Sequence, residues 1–195
     1  MSLPDFQKAF ASLIASPALC KAVLADENAF FADYDLTEKE KTRIHSVLRQ
    51  RGISACCTLY RMNRITPIYT QLSNTSALLG DDFVPLADEF WQQHANTTLQ
   101  FRDEVSKFGE LILQKIEKGI VKVPYLKDVL LLEMVINELS YLPEGEVRLV
   151  KFDHDIFHIL SAINDENLSI QKIETSNAKF HIYMKDLKLQ MDVVV

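Results

Sequence analysis

The sequence predicts an α+β fold, in which a helical N-terminal domain is followed by a small antiparallel β-sheet with a short helix. Apolar residues recur at helical spacing through most of the chain, and alternation with a period of two takes over near its end. Five glycines and six prolines in 195 residues are few for a turn-rich sandwich or barrel. The period changes after Pro143, so we predict a helical domain over residues 1–143 and a β-rich domain over 144–195.

The first helices have clear boundary signals. Residues 5–33 carry helical periodicity that Ser16-Pro17 should interrupt and restart. Thr37 followed three residues later by Glu40 is typical of a capping box, and Gly52 is the expected stop of that helix. A further helix over residues 54–72 contains Pro67, which should bend or end a turn.

Three more helices follow in the sequence. "SNTSALLG" predicts a short helix ended by Gly80, and the next should begin near Asp81 or Asp82. Thr97 or Thr98 can cap a long helix that closes near Gly119, and the segment 123–139 predicts one more, with Pro124 in its first turn. The helix after Gly80 is expected to turn these residues inward: Phe83, Leu86, Ala87, Phe90 and Trp91.

The C-terminal part predicts strands. "EVRLVKF" has β-type composition, a short helix fits residues 156–163, and "KFHIYM" and "LKLQMDVVV" alternate. A two-residue loop at Lys185-Asp186 would explain the change of phase between the last two segments. That loop pairs Met184 with Leu187, Ile182 with Leu189 and Phe180 with Met191, all on one side of the sheet.

Charge and cysteine content restrict the function classes. The net charge of −6 and the pI near 5.4 disfavour nucleic acid and anionic membranes and favour a basic ligand. Cys20, Cys56 and Cys57 form no C-x-x-C motif, which indicates a reducing compartment. Neither a signal peptide nor an apolar run long enough for a membrane span is present. We therefore expect a cytoplasmic protein.

"KFDHDIFHIL" is the candidate for a metal site. His154 and His158 are four residues apart, and Asp153 or Asp155 could add an oxygen ligand. The alternative is that Asp153 or Asp155 caps the short helix and the histidines flank it, which we favour. A metalloenzyme built on these four residues stays open as an alternative, as does an approach of His154 or His158 to an active site on another subunit.

The arginines and one glutamate raise further alternatives. Five of the seven arginines lie between residues 43 and 64, which motivates a DNA-binding regulator, although the acidic charge and the lack of a helix-turn-helix signature count against it. Glu133 lies in the apolar run "VLLLEMVI", where an unpaired carboxylate is unfavourable. It either pairs with Arg61 or Arg64 or faces solvent. No hydrolase, P-loop, dinucleotide-binding or zinc-protease motif is present, so we predict no catalytic residue.

Three short motifs follow one another in the chain: a Tyr-Arg-x-Asn helix, a Leu-Leu-Gly-x-x-Phe turn and a Pro-Tyr-Leu-x-Asp-x-x-x-Leu-Glu helix. In this order they make the chain resemble the HvfC-type family. Where a Phe-Pro is usual before the second motif, this chain has "SNTSALLG", which is similar to the branch that serves methanobactin biosynthesis. The matching residues are Tyr60, Arg61, Asn63, Leu78, Leu79, Gly80, Phe83, Pro124, Tyr125, Leu126, Asp128, Leu132 and Glu133.

The resemblance implies a non-catalytic accessory subunit of a heterodimer. Its partner would be a TIM-barrel, multinuclear non-haem iron oxygenase that holds all the iron, and the pair would use dioxygen to convert a cysteine of a ribosomally made precursor peptide to an oxazolone with a neighbouring thioamide. The product would be the copper chelator methanobactin. This chain would bind no metal and no cofactor of its own, and would help to capture the leader part of the precursor.

Two surfaces are then expected. A sheet edge can accept an extended leader by β-augmentation. Contact with the iron subunit is expected around Arg61, Arg64 and Trp91. The predicted peptide-binding residues lie on the strand near 147–152 or on the terminal strand 187–195: Val147, Leu149, Leu187, Leu189, Met191 and Val193.

Overall fold

A computed structural model describes residues 3–50, 52–94, 101–165 and 173–194. It is mostly helical, with a three-stranded antiparallel sheet near the C-terminus, so the predicted α+β class is confirmed. The helices are α1 (Leu3–Ala15), α2 (Pro17–Ala25), α3 (Glu27–Phe31), α4 (Glu38–Leu48), α5 (Gly52–Gln71), α6 (Ser73–Leu79), α7 (Phe83–Gln93), α8 (Phe101–Glu117), α9 (Leu126–Leu139) and α10 (Ile156–Asn164). The strands are β1 (Val147–Lys151), β2 (Lys179–Lys185) and β3 (Lys188–Val194).

The chain forms two compact units. One comprises Met1–Thr66 with His94–Asn96, and the other comprises Pro67–Gln93 with Thr97–Val195. The sheet therefore shares a unit with α6 to α9, whereas the sequence placed the division at residue 143. The physical reason is a common core, because Val129, Leu132 and Leu139 of α9 pack with Phe152 and Phe180.

In the first unit, capping residues in the sequence correctly predicted where α2 and α4 begin. Ser16 caps α2 by accepting a hydrogen bond from the backbone N–H of Leu19, and Thr37 forms the predicted capping box with Glu40. The prediction for Gly52 was wrong, since α4 ends at Leu48 and Gly52 opens α5. The latter helix continues through Pro67 to Gln71 rather than ending there.

The helices of the second unit follow the pattern more closely. Gly80 ends α6 with a positive φ of 52°, and the residues of α7 predicted to face inward are all buried. Pro124 lies before α9, because Tyr125 adopts a left-handed conformation (φ 61°) and the helix begins at Leu126. The predicted caps Thr97 and Thr98 lie outside the described residues.

The hairpin is real, but its register differs from the prediction. Met184 pairs with Leu189, Ile182 with Met191 and Phe180 with Val193, so every predicted partner is displaced by two residues. The two-residue loop is Asp186-Leu187, and both residues have positive φ (49° and 59°), as a type I′ turn requires. The backbone N–H of Asp186 donates to Glu144 Oε1 at 2.7 Å, which holds the loop at this position.

In the described parts of the chain, no single helix is long and apolar enough to cross a membrane, although α1 and α2, which meet at a bend of 112°, would together have the length and composition.

Two of the three cysteine thiols lie in the core of the first unit. Cys20 and Cys57 are buried with their sulfurs 3.9 Å apart, and Cys20 Sγ donates to the carbonyl oxygen of Leu13 at 3.0 Å. Burial, and then the neighbouring Cys57, raise the pKa of the Cys20 thiol to about 12. The third thiol, that of Cys56, is exposed.

Because the thiolate is the nucleophile, we expect alkylation by iodoacetamide at neutral pH to modify Cys56 alone in the native protein. Mass spectrometry of the intact chain should show one adduct in buffer and three in urea. Fast modification of Cys20 in buffer would contradict the packing described above.

Candidate functional site

A groove of about 570 Å³ lies within the second unit, between helices on one side and β3 on the other. Its walls combine apolar side chains with a few amide and hydroxyl groups, a composition that suits a ligand with both apolar and hydrogen-bonding groups. The lining residues are Thr70, Gln71, Ser73, Asn74, Leu132, Glu133, Ile136, Phe157, Leu160, Leu189, Gln190 and Met191.

One end of the groove is fixed by a buried carboxylate. Glu133 on α9 is only 5% exposed, and its Oε1 accepts from the backbone N–H of Asn74 at 2.7 Å and from the side-chain amide of Asn74 at 3.1 Å. Its Oε2 accepts from the backbone N–H of Thr75 at 2.9 Å. The carboxylate thus caps the N-terminus of α6, where free N–H groups and the helix dipole favour a negative charge. Both predicted roles of Glu133 were wrong, since it neither pairs with arginine nor faces solvent.

The other wall is an edge strand. The strand order is β1-β2-β3, so among the described strands β3 has a neighbour on one side only. Three consecutive residues, Leu189, Gln190 and Met191, line the groove. Because successive side chains of a strand point to opposite faces, a groove that meets all three runs along the edge of the strand as well as beneath one face. An extended segment lying there would have access both to the apolar wall and to the main chain of β3.

The structure distributes the predicted peptide-binding residues over three places. Leu189 and Met191 line the groove, and Val193, on the same face, is 63% exposed. Val147 and Leu149 lie on the opposite face of the sheet, exposed to solvent. Leu187 was predicted to share the inward face, but it lies in the turn and is 95% exposed.

The residues predicted to contact a partner subunit are not among those that line the groove. Arg64 is 3% exposed, and its guanidinium donates to the carbonyl oxygen of His94 at 3.3 Å. Trp91 is 7% exposed and donates from Nε1 to Glu104 Oε1 at 2.9 Å. Arg61 is half-buried. Partner contact by these three residues stays a prediction.

A second polar cluster joins α9 to the segment after β1. Asp128, which is 2% exposed, accepts from the backbone N–H of Asp153 at 2.9 Å and lies 2.8 Å from His154 Nδ1. The ring of Tyr125 packs edge-to-face on His154, with centroids 4.8 Å apart. The buried carboxylate therefore orients the imidazole and fixes where β1 leads into α10.

The two aspartates of "FDHD" have different roles. Asp155 caps α10 by accepting from the backbone N–H groups of Phe157 and His158, which confirms the capping interpretation. Asp153 pairs with Lys127 at 3.0 Å, and this hydrogen bond lowers the pKa of Asp153 and raises that of Lys127. His158 is exposed on α10.

Within the described ranges, no group of three or more His, Cys, Asp or Glu side chains is placed to hold a metal ion. His154 has its carboxylate partner on α9 rather than in its own segment. The role of Asp128 has no sequence signature, because an aspartate in the first turn of a helix is common and favourable whether it is exposed or buried.

No known protein-family profile matches this chain, and none of the curated proteins is recognisably similar to it.

Glu133→Gln should lower the free energy of unfolding by roughly 2 kcal/mol, because the amide nitrogen would face a backbone N–H that now has a charged acceptor. Glu117→Gln removes the same charge from an exposed position at the end of α8 and should change stability by less than about 0.5 kcal/mol. Urea unfolding followed by far-UV circular dichroism compares the two. Equal midpoints would show that the cap contributes nothing.

Proposed function

We propose that this chain is a non-catalytic subunit that recruits a precursor peptide to an iron-dependent oxidase. The observation that carries the proposal is the groove beside β3, in which a strand edge that pairs with no other described strand adjoins an apolar wall. The three motifs that resemble the HvfC-type family support the class of complex. The partner would be a TIM-barrel iron subunit, and the shared product would be methanobactin, formed by converting a precursor cysteine to an oxazolone and a thioamide in the cytoplasm.

The leader of the precursor would lie along β3 as an added strand. Alternate leader side chains would point toward Leu160 and Ile136, and main-chain hydrogen bonds to β3 would supply affinity that is independent of sequence. Phe157 is 52% exposed at the rim of this groove and would be covered on binding. The region would therefore set the register of the peptide through its apolar positions, whereas the chemistry would take place on the partner.

The second predicted leader site, on β1, is less well supported. Val147 and Leu149 project from the face of the sheet opposite the groove, and no helix of the second unit is packed on them closely enough to cover them. A peptide on that edge would gain main-chain hydrogen bonds without an apolar wall. We therefore place the leader on β3.

The main test is reconstitution. Co-expression with an iron-binding barrel protein of the same host and with its precursor peptide should give a stable heterodimer, with iron in the partner and a dioxygen-dependent change in precursor mass. The proposal is overturned if the purified chain stays monodisperse in the presence of both components and leaves the precursor unmodified.

A charge-insertion pair distinguishes the two sheet edges. Met191→Glu places a carboxylate in the apolar wall and should weaken binding of the precursor peptide at least about tenfold, because burying an unpaired charge is unfavourable. Leu149→Glu, the matched change on the exposed face of β1, should change binding by less than about threefold. Fluorescence anisotropy with a labelled precursor gives both values. A loss with Leu149→Glu alone would assign the peptide to β1.

A further inference from the structure

The solvent face of the sheet, opposite the groove, carries a concentrated positive charge on an acidic protein. The pairing register places four exposed lysines on this face, and Asp192 is its one carboxylate in the described strands, hydrogen-bonded to Tyr183. The lysines are Lys151, Lys179, Lys185 and Lys188. We call this surface the lysine face.

The lysines occur as two like-charged cross-strand pairs. Lys151 lies directly opposite Lys179 at one end of the sheet, and Lys185 lies opposite Lys188 at the other. Like charges directly opposite one another destabilise a sheet. Among the residues that the structure describes, none of the four ammonium groups has a carboxylate within 4.0 Å, the limit for an ion pair. Asp153 is near enough to Lys151 for that charge to help Lys127 lower the pKa of the Asp153 carboxyl. Glu144 is hydrogen-bonded at the turn next to Lys185 and Lys188, so the repulsion is only partly offset.

Protection against aggregation explains only half of this pattern. Lysines on edge strands prevent unwanted strand pairing, which accounts for Lys151 on β1 and Lys188 on β3. Lys179 and Lys185 lie on β2, the central strand. Lys179 is paired on both sides, and Lys185, next to the hairpin turn, is paired with Lys188 alone. Neither belongs to an edge strand that needs this protection, so an external anionic group is the simpler reason for their charges.

We propose that the lysine face is a docking surface for an acidic polypeptide that carries apolar side chains between its carboxylates. Val147 and Leu149 are 46% and 59% exposed between the two lysine pairs, and Leu187 protrudes at the hairpin turn. The two pairs are six residues apart along β2, about 20 Å at the usual rise of a strand. An extended acidic segment of about seven residues spans this distance, with its ends at the ammonium groups and its centre on the exposed aliphatic groups.

Nucleic acid fits this surface less well than a polypeptide does. The face contains lysines rather than arginines, and its centre is aliphatic, whereas a phosphate backbone offers no apolar complement. The net charge of −6 also repels a long polyanion, while a short acidic segment interacts mainly with charges within one Debye length, about 8 Å at physiological salt. The docking surface is independent of the leader groove, which opens on the other face.

Fluorescence anisotropy of the full chain tests this docking surface. The probe is a fluorescein-labelled nine-residue peptide with two glutamates at each end and alternating valine and threonine between them, and its counterpart has lysines in place of the glutamates. The glutamate peptide should bind at 50 mM salt, weaken at least about tenfold at 500 mM, and bind more tightly than the lysine peptide. Equal binding of the two peptides overturns the proposal.

Two variants with the same net charge locate the site. Lys151→Gln, Lys179→Gln, Lys185→Gln and Lys188→Gln combined should weaken binding about tenfold. The control combines the same change at four exposed lysines on or next to helices, Lys21, Lys39, Lys107 and Lys118, and should change binding by less than about threefold. Circular dichroism confirms that both fold. An equal loss in the two variants, or a 20-base-pair DNA duplex that binds as tightly as the glutamate peptide and loses affinity only in the first variant, overturns the docking proposal.

Discussion

The hydrogen bonds between the Glu133 carboxylate and the first turn of α6 are the constraint on which the second unit most depends. A carboxylate that is 5% exposed is stable only when its lone pairs are occupied, and here four donors from residues 73 to 75 reach its two oxygens. Charge and helix dipole then act in the same direction. Because α6 begins where this acceptor lies, the position of α9 determines one wall of the groove.

A second buried carboxylate, that of Asp128, lies on α9 about one and a half turns before Glu133 and also accepts a hydrogen bond from a distant segment. Asp128 holds the backbone of Asp153 and the ring of His154, so the segment between β1 and α10 cannot move independently of α9. Two carboxylates therefore position the helix α6 on one side and the helix α10 on the other. The groove between them exists because a single helix orients both neighbours, while the apolar residues of α9 pack on the sheet.

The sequence predicts features that local interactions determine, such as helix caps, but not hydrogen bonds between residues that are far apart in the chain. The caps at Ser16, Thr37 and Asp155 were predictable because donor and acceptor lie within three residues of each other. The partner of Glu133 was not, since its donors are backbone N–H groups about 60 residues away, and a backbone group has no sequence signature. From the sequence, arginines were the expected partners of Glu133, but its hydrogen-bond donors in the structure all come from residues 73 to 75.

The hairpin error has a different origin and shows which part of a strand prediction is robust. Moving the loop by one residue changes every cross-strand partner by two positions, which preserves the parity of the alternation. Phe180 and Ile182 consequently face the core as predicted, although their partners differ. Two residues changed environment, Leu187 from strand to turn and Lys185 from turn to strand. The hydrogen bond from Asp186 to Glu144 stabilises a loop that lacks the glycine or asparagine usually found there.

The preserved parity also gives the sheet two chemically different faces. The inward face is mainly apolar and ends in a groove beside one edge, whereas the outward face carries the four lysines, all of them exposed. A strand added at β3 would extend both faces at once, placing its apolar residues in the groove and its alternate residues beside Lys188. Under the proposed docking, the groove would select aliphatic leader residues, whereas the lysine face would remain available to a separate acidic segment.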